Sequence, residues 1–200
     1  MEPLPTLFDL LRHGEPQGGT KYRGHLDDPL SATGWAQMRA AVQADEPWQR
    51  IVSSPLQRCQ AFARELADAR GLPLEIEPAF MEISFGDWEG LTLEQVQARD
   101  PERLQAFWRG EADPPGGEPL ADFVARLRGA WQHWRERCQG EHVLLVCHGG
   151  VIRVLLADVL GLEVGHALAR IQVDFACRSR VRLDGPLSSL LAHGYRSTPP

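Results

Sequence analysis

Strands that alternate with helices along the 200 residues predict an α/β fold, a three-layer α/β/α sandwich with a mostly parallel central sheet, built as one domain over residues 1–200. Three observations carry this reading. Short apolar runs recur between stretches of helical periodicity. Hydrophobic residues make up 43% of the chain and charged ones 24%, enough to bury a core and unlike a disordered composition. No internal repeat or low-complexity block interrupts the alternation.

Residues 6–11 read as a buried strand that enters a polar, glycine-rich loop over 15–28 through Arg12, His13 and Gly14. Ser31 or Thr33 can cap a helix carrying Trp35, Met38, Ala41 and Val42 on one face and ending near Pro47. Ile51 and Val52 form a short second strand. Ser54 and Pro55 then give an N-cap and a first-turn proline to a helix that runs to about Gly71. Residues 74–77 form a third strand, and 79–90 an irregular segment in which Phe80, Phe85 and Trp88 are interleaved with Glu82, Asp87 and Glu89. Residues 92–110 are helical with a break near Pro101, 112–119 are a loop rich in proline and glycine, and 120–138 are a long amphipathic helix. The strongest strand, 142–147, meets His148, Gly149 and Gly150 and passes into an apolar helix over 151–160. Residues 170–175 and 180–183 read as closing strands, and the tail from Ser197 as loose.

With 27 acidic and 21 basic side chains, the formal charge is −6, which disfavours binding of nucleic acid or anionic lipid by bulk charge. A small anion would need a local cationic pocket. Cys59, Cys138, Cys147 and Cys177 form no C-x-x-C pair, so buried reduced thiols are expected. The first residues lack a basic leader and no apolar run reaches the length of a membrane span, so a cytoplasmic protein without a membrane partner is expected.

Two strands end alike, His13 before Gly14 and His148 before Gly149, and in an open α/β sheet ligands bind at the carboxyl ends of strands. Either histidine alone is more often structural; two at matching positions point to one crevice. Arg12 adjoins His13, and Arg58 lies in the first turn of a helix, so both can grip phosphate bidentately. A neutral imidazole can act as nucleophile, and a carboxyl among Glu82, Asp87 and Glu89 can protonate the departing oxygen. Residue types alone do not choose among the three acids. The seven histidines show no metal-ligand spacing, and there is no P-loop, G-x-S-x-G elbow or dinucleotide fingerprint. No cofactor or metal is expected.

The motifs LLRHGE (10–15), LDDPLSATG (26–34), SSPLQR (53–58), EISFGDWEG (82–90) and VCHGG (146–150) together resemble the histidine phosphatase superfamily, the phosphoglycerate mutase-like group, over nearly the whole chain. The resemblance implies that His13 is phosphorylated during turnover, that Arg12, Arg58 and His148 surround the transferred phosphoryl group, and that Glu82 is the proton donor. Glu89 is then structural. Tyr22, Arg23 and Gly149 are candidates for substrate contact. The chain departs from the pattern at position 16, where Pro16 replaces the usual hydroxyl residue and its contact to phosphate.

The segments YRGHLDDPLS and FGDWEG most resemble the α-ribazole phosphatase branch, which implies a small phosphomonoester such as α-ribazole 5′-phosphate, of cobalamin biosynthesis, as substrate. A broad-specificity phosphatase and a phosphoglycerate mutase share these motifs, although the chain lacks the extra segment of the cofactor-dependent mutases. A phospholigand-binding module without turnover is the non-enzyme alternative. Monomer and homodimer stay open.

Overall fold

Alternation within the first strand sets up two cores. In β1 (Thr6–Arg12), Phe8 and Leu10 face one hydrophobic cluster and Leu11 faces the other. The computed structural model describes residues 4–184 and 187–195. After β1 the described chain forms α1 (Ala32–Ala41), β2 (Arg50–Ser53), α2 (Gln57–Arg70), β3 (Leu74–Ile76), α3 (Leu93–Arg99), α4 (Pro101–Trp108), α5 (Leu120–Arg137), β4 (His142–Cys147), α6 (Gly149–Leu160), α7 (Val164–Arg170), β5 (Arg178–Asp184) and β6 (Leu187–Tyr195). The strands make one sheet in the order β3-β2-β4-β1-β5-β6. The first four are mutually parallel, while β5 and β6 are antiparallel additions. Met38 and Ala41 of α1 and Phe62, Ala63 and Leu66 of α2 pack on Leu11, Ile51, Leu144 and Val146. On the other face, Phe123, Leu127 and Trp131 of α5 and Val151, Ile152 and Leu155 of α6 join Phe8, Leu10, Val143 and Leu145. The result is the expected α/β/α sandwich.

Capping decides several helix starts. The Ser31 side chain accepts a hydrogen bond from the Gly34 amide, so Ser31 rather than Thr33 opens α1. Thr92 and Gln95 form a reciprocal capping box on α3, and Pro101 starts α4 after the expected break.

Four expectations need correction. Residues 170–175 are not a strand: α7 ends at Arg170, and the following residues form a loop whose Ile171 and Val173 carbonyls accept from Arg153 and Arg12. Ser54 does not cap α2, which starts at Gln57 with Leu56 at its cap, because the Ser54 hydroxyl is engaged by His148. Helix α1 stops at Ala41, short of Pro47. Helix α6 begins at Gly149, two residues before the expected start. The strand expected at 180–183 is the longer β5, whereas α7 and β6 were not foreseen. The tail from Ser197 lies outside the described residues. All four cysteines are buried, and no helix among the described residues is long and apolar enough to cross a membrane.

Candidate active site

Strand register brings the two histidines together. In the parallel pair β1–β4, Arg12 stands opposite Cys147, so the next residues, His13 and His148, leave the sheet side by side. The His13 amide donates to the Cys147 carbonyl at 3.0 Å, and the two rings lie edge to face with centroids 5.2 Å apart. On the other side of β4, Ser53 pairs with Val146, which puts the Ser54 hydroxyl 2.7 Å from His148 Nε2. The glycine after His13 permits a close backbone crossing: a Cβ on Gly14 would meet the Gly34 carbonyl oxygen at 2.3 Å.

His13 Nδ1 lies 2.7 Å from the Gly14 carbonyl oxygen, which can only accept. Nδ1 therefore carries the proton and Nε2 keeps its lone pair. Burial, reinforced by the charges of Arg12 and Arg58, holds the His13 pKa well below its usual value, so the ring is neutral at pH 7. His148 is also fully buried and held well below the usual range by burial and then by Arg58 and His13. It sits behind His13 and does not line the cavity.

The cavity, about 360 Å³, opens over His13 and is lined by Arg12, Arg23, Arg58, Glu82, Tyr22 and Gly149 among others. Arg12 donates to the Val173 carbonyl at 2.5 Å and stacks on Phe175, its Cζ 4.1 Å from the ring centroid. Burial lowers its pKa to about 10, still charged at neutral pH, with Arg153 adding to the shift. Arg58, wholly buried, donates to the carbonyls of Leu26 and Gly24 at 2.7 and 2.8 Å. The Nε atoms of Arg12 and Arg58 are buried without a hydrogen-bond partner, and among the described residues neither arginine has a carboxylate within 4 Å. Two desolvated cations without counterions form a site for a dianion. Arg23 is more committed, donating to Asp28 and to the carbonyls of Gln17 and Gly19.

Of the three candidate acids, Glu82 alone lines the cavity. Its Oε1 accepts from the Ile83 amide at 3.1 Å and its Oε2 from the Gly150 amide at 3.0 Å. Gly150 has to lack a side chain, since a Cβ there would lie 2.3 Å from Glu82 Oε1. Glu89 instead ties the loop together, accepting from the His25 and Phe85 amides and the Ser84 hydroxyl. Asp87 packs against Gly116, away from the cavity. Pro16 forms a β-bridge with Leu30 and is likewise not part of the cavity wall.

Sequence reasoning missed Arg153, Phe175 and Trp108, which complete the wall, and saw Ser54 only as a cap. Arg153 carried a signal, being the single cation in a twelve-residue apolar helix, one turn from its start. Phe175 carried none, because an alternating apolar run reads as strand.

A neutral histidine at the end of a parallel strand, between guanidiniums with no carboxylate in contact, defines an α/β protein with a cationic pocket at the carboxyl ends of its strands. The chain belongs to the histidine phosphatase superfamily, branch 1, whose family profile matches residues 8–194. It is 36% identical over 168 residues to a glucosyl-3-phosphoglycerate phosphatase of Mycolicibacterium vanbaalenii, covering 78% of this chain and 74% of that protein. It is 30% identical over 188 residues to the adenosylcobalamin/α-ribazole phosphatase of Escherichia coli K12, covering 90% and 92%. The crystal structure of an α-ribazole phosphatase from Shigella flexneri superposes with a TM-score of 0.83 at 29% identity, covering 96% of this chain and 97% of that one. The chain also matches, at 35% identity over 183 residues, only half the length of longer mycobacterial proteins, one of them described as bifunctional.

Proposed function

We propose that the protein is a metal-independent phosphomonoesterase that works through a phosphohistidine at His13. The observation that carries this is the neutral His13 ring, Nδ1–H bonded to Gly14 and Nε2 free, beside two guanidiniums that lack counterions. Arg12 and Arg58 hold the phosphoryl oxygens, assisted by the amide end of α6. The Nε2 lone pair forms the N–P bond as the P–O bond to the leaving group breaks, and the Glu82 carboxyl gives its proton to the departing oxygen. Glu82, now a carboxylate, takes a proton from water as that water attacks phosphorus, the N–P bond breaks and inorganic phosphate leaves. His148, held by Ser54, backs the His13 ring and keeps it in place beneath the phosphate. Incubating His13→Ala with 4-nitrophenyl phosphate tests this; retained full activity would overturn it.

For the substrate, a small phosphorylated metabolite such as α-ribazole 5′-phosphate is supported by the E. coli relative and by a cavity wall containing Tyr22, Phe85, Phe107, Trp108 and Phe123, which suits an aromatic base. A phosphorylated carboxylic acid such as glucosyl-3-phosphoglycerate is the second reading, favoured by the additional cation Arg153. A phosphomonoester panel ranked by kcat/KM separates them. A flat ranking would leave a broad-specificity enzyme.

A further inference from the structure

Arg153 has no task in the phosphoryl transfer described above, yet it stands in the cavity wall. Its Nε donates to the Ile171 carbonyl at 2.8 Å, which fixes the guanidinium plane, and its Cζ lies 5.7 Å from the Trp108 ring centroid. No side chain or carbonyl takes a hydrogen bond from Nη1 or Nη2 among the described residues, and no carboxylate lies within 4 Å of them. Glu82 is close enough to favour the charged form of Arg153, but both its oxygens already accept backbone amides.

The charge is also crowded by its own kind. A Cβ on Gly149 would lie 3.1 Å from Arg153 Nη1 and 3.5 Å from Arg12 Nε, so the two guanidiniums meet above the start of α6. Two adjacent, poorly hydrated cations are held at an electrostatic cost that Glu82 offsets in part and a bound anion would offset further. The transferred phosphoryl group, facing His13, satisfies Arg12 and Arg58. Arg153, one step further toward Trp108, retains a free Nη pair whose planar geometry matches a carboxylate.

We infer that Arg153 reads a carboxylate on the leaving group, giving the cavity a second anion subsite beside its aromatic wall. This rests on the phosphatase reading of the same site and selects, of its two substrate readings, the phosphorylated carboxylic acid over α-ribazole 5′-phosphate, whose leaving group has no carboxylate.

The test compares 3-carboxyphenyl phosphate with phenyl phosphate, which differ only in the carboxylate. The expected result is a wild-type preference for the carboxylated ester and an approximately tenfold or larger fall in that preference in Arg153→Gln, chiefly through KM, the size of one charge-assisted hydrogen bond. Equal losses on both esters, with the preference unchanged, would overturn the inference and make Arg153 a support for the 171–175 loop. Calorimetric binding of the leaving groups to the wild-type protein in saturating inorganic phosphate, which occupies Arg12 and Arg58, needs neither turnover nor a folded variant and gives an independent reading: 3-hydroxybenzoate should bind at least about tenfold tighter than phenol. Equal binding would overturn the inference. Hydrolysis of neither ester would overturn the phosphatase reading, and the leaving-group titration would still decide the role of Arg153.

Discussion

His13 Nδ1 and the carbonyl oxygen of Gly14 are 2.7 Å apart, a contact that fixes the tautomer of the ring at the centre of the site. Because burial and the Arg12 and Arg58 charges hold the His13 pKa well below 6.5, the proposed nucleophile stays unprotonated in mildly acidic solution. Once the substrate's own second ionisation is corrected for, kcat/KM for 4-nitrophenyl phosphate should not fall as pH drops through 6.5. An acid limb centred near 6.5 would show that His13 titrates like a solvated imidazole.

The same shifts make stability depend on pH. His13 and His148 both have folded-state pKa values below their unfolded value, so below pH 6.5 the unfolded chain binds protons that the folded chain does not. Stability is full above pH 6.5 and is lost as pH falls from there toward the folded-state values. Urea midpoints measured from pH 7.5 to 5 should decline in the wild-type protein. The decline should be shallower when His148 is replaced by Asn.

Glu82 presents its carboxyl to the cavity while two backbone amides hold its oxygens. Glu82→Gln should lower kcat by about 10²–10⁴-fold on an alkyl phosphate, whose leaving oxygen needs a proton, and much less on 4-nitrophenyl phosphate. Equal losses on both substrates would move the proton donor elsewhere.

Gly150→Ala drives a methyl group into Glu82 Oε1, at 2.3 Å if nothing moves. Folding should survive, since alanine suits the first turn of α6, but Glu82 has to leave its position. Steady-state kinetics should show the alkyl-phosphate defect of Glu82→Gln, with the circular dichroism spectrum unchanged.

Midway along β1, Asp9 is completely buried and accepts from Trp48 Nε1 at 2.7 Å and from Arg180 at 2.7 and 2.9 Å, with His142 at 3.1 Å. Burial alone would raise its pKa; the hydrogen bonds from Arg180 and His142 outweigh this and hold it well below the carboxylate range. Asp9→Asn takes from Arg180 and the buried Arg178 one of their two counterions, leaving Glu46, and should cost about 3 kcal/mol of stability, measured by urea unfolding, with kcat little changed.

Sequence disclosed the elements whose pattern and caps agree with their packing. The apolar run of β4, the Ser31 cap and the Pro101 break each have a local cause that tertiary structure does not override. Errors fell where the site claims the backbone. Ile171, Val173 and Phe175 alternate like a strand, but their loop is shaped by Arg153, Arg12 and His13, residues distant in sequence. Ser54 resembles a cap because its distant partner, His148, is invisible locally. Likewise β6 escaped notice because Ser188, Ser189 and Gly194 weaken its pattern, and only pairing with β5 orders it. The core of the site was legible because it sits at two His-Gly strand ends, where sheet geometry leaves little choice. Its outer wall, contributed by α4, α6 and the 171–177 loop, depends on tertiary packing that no short motif encodes.

Trapping the intermediate tests the central claim most directly. The protein is mixed with a ³²P-labelled aryl phosphate, quenched in alkali within one turnover and mapped by peptide. The account predicts a label that survives alkali, is released by acid and lies on Nε2 of His13, and that is missing from His13→Ala. Hydrolysis by the wild-type protein with no label at His13, or with the same label in His13→Ala, would contradict it.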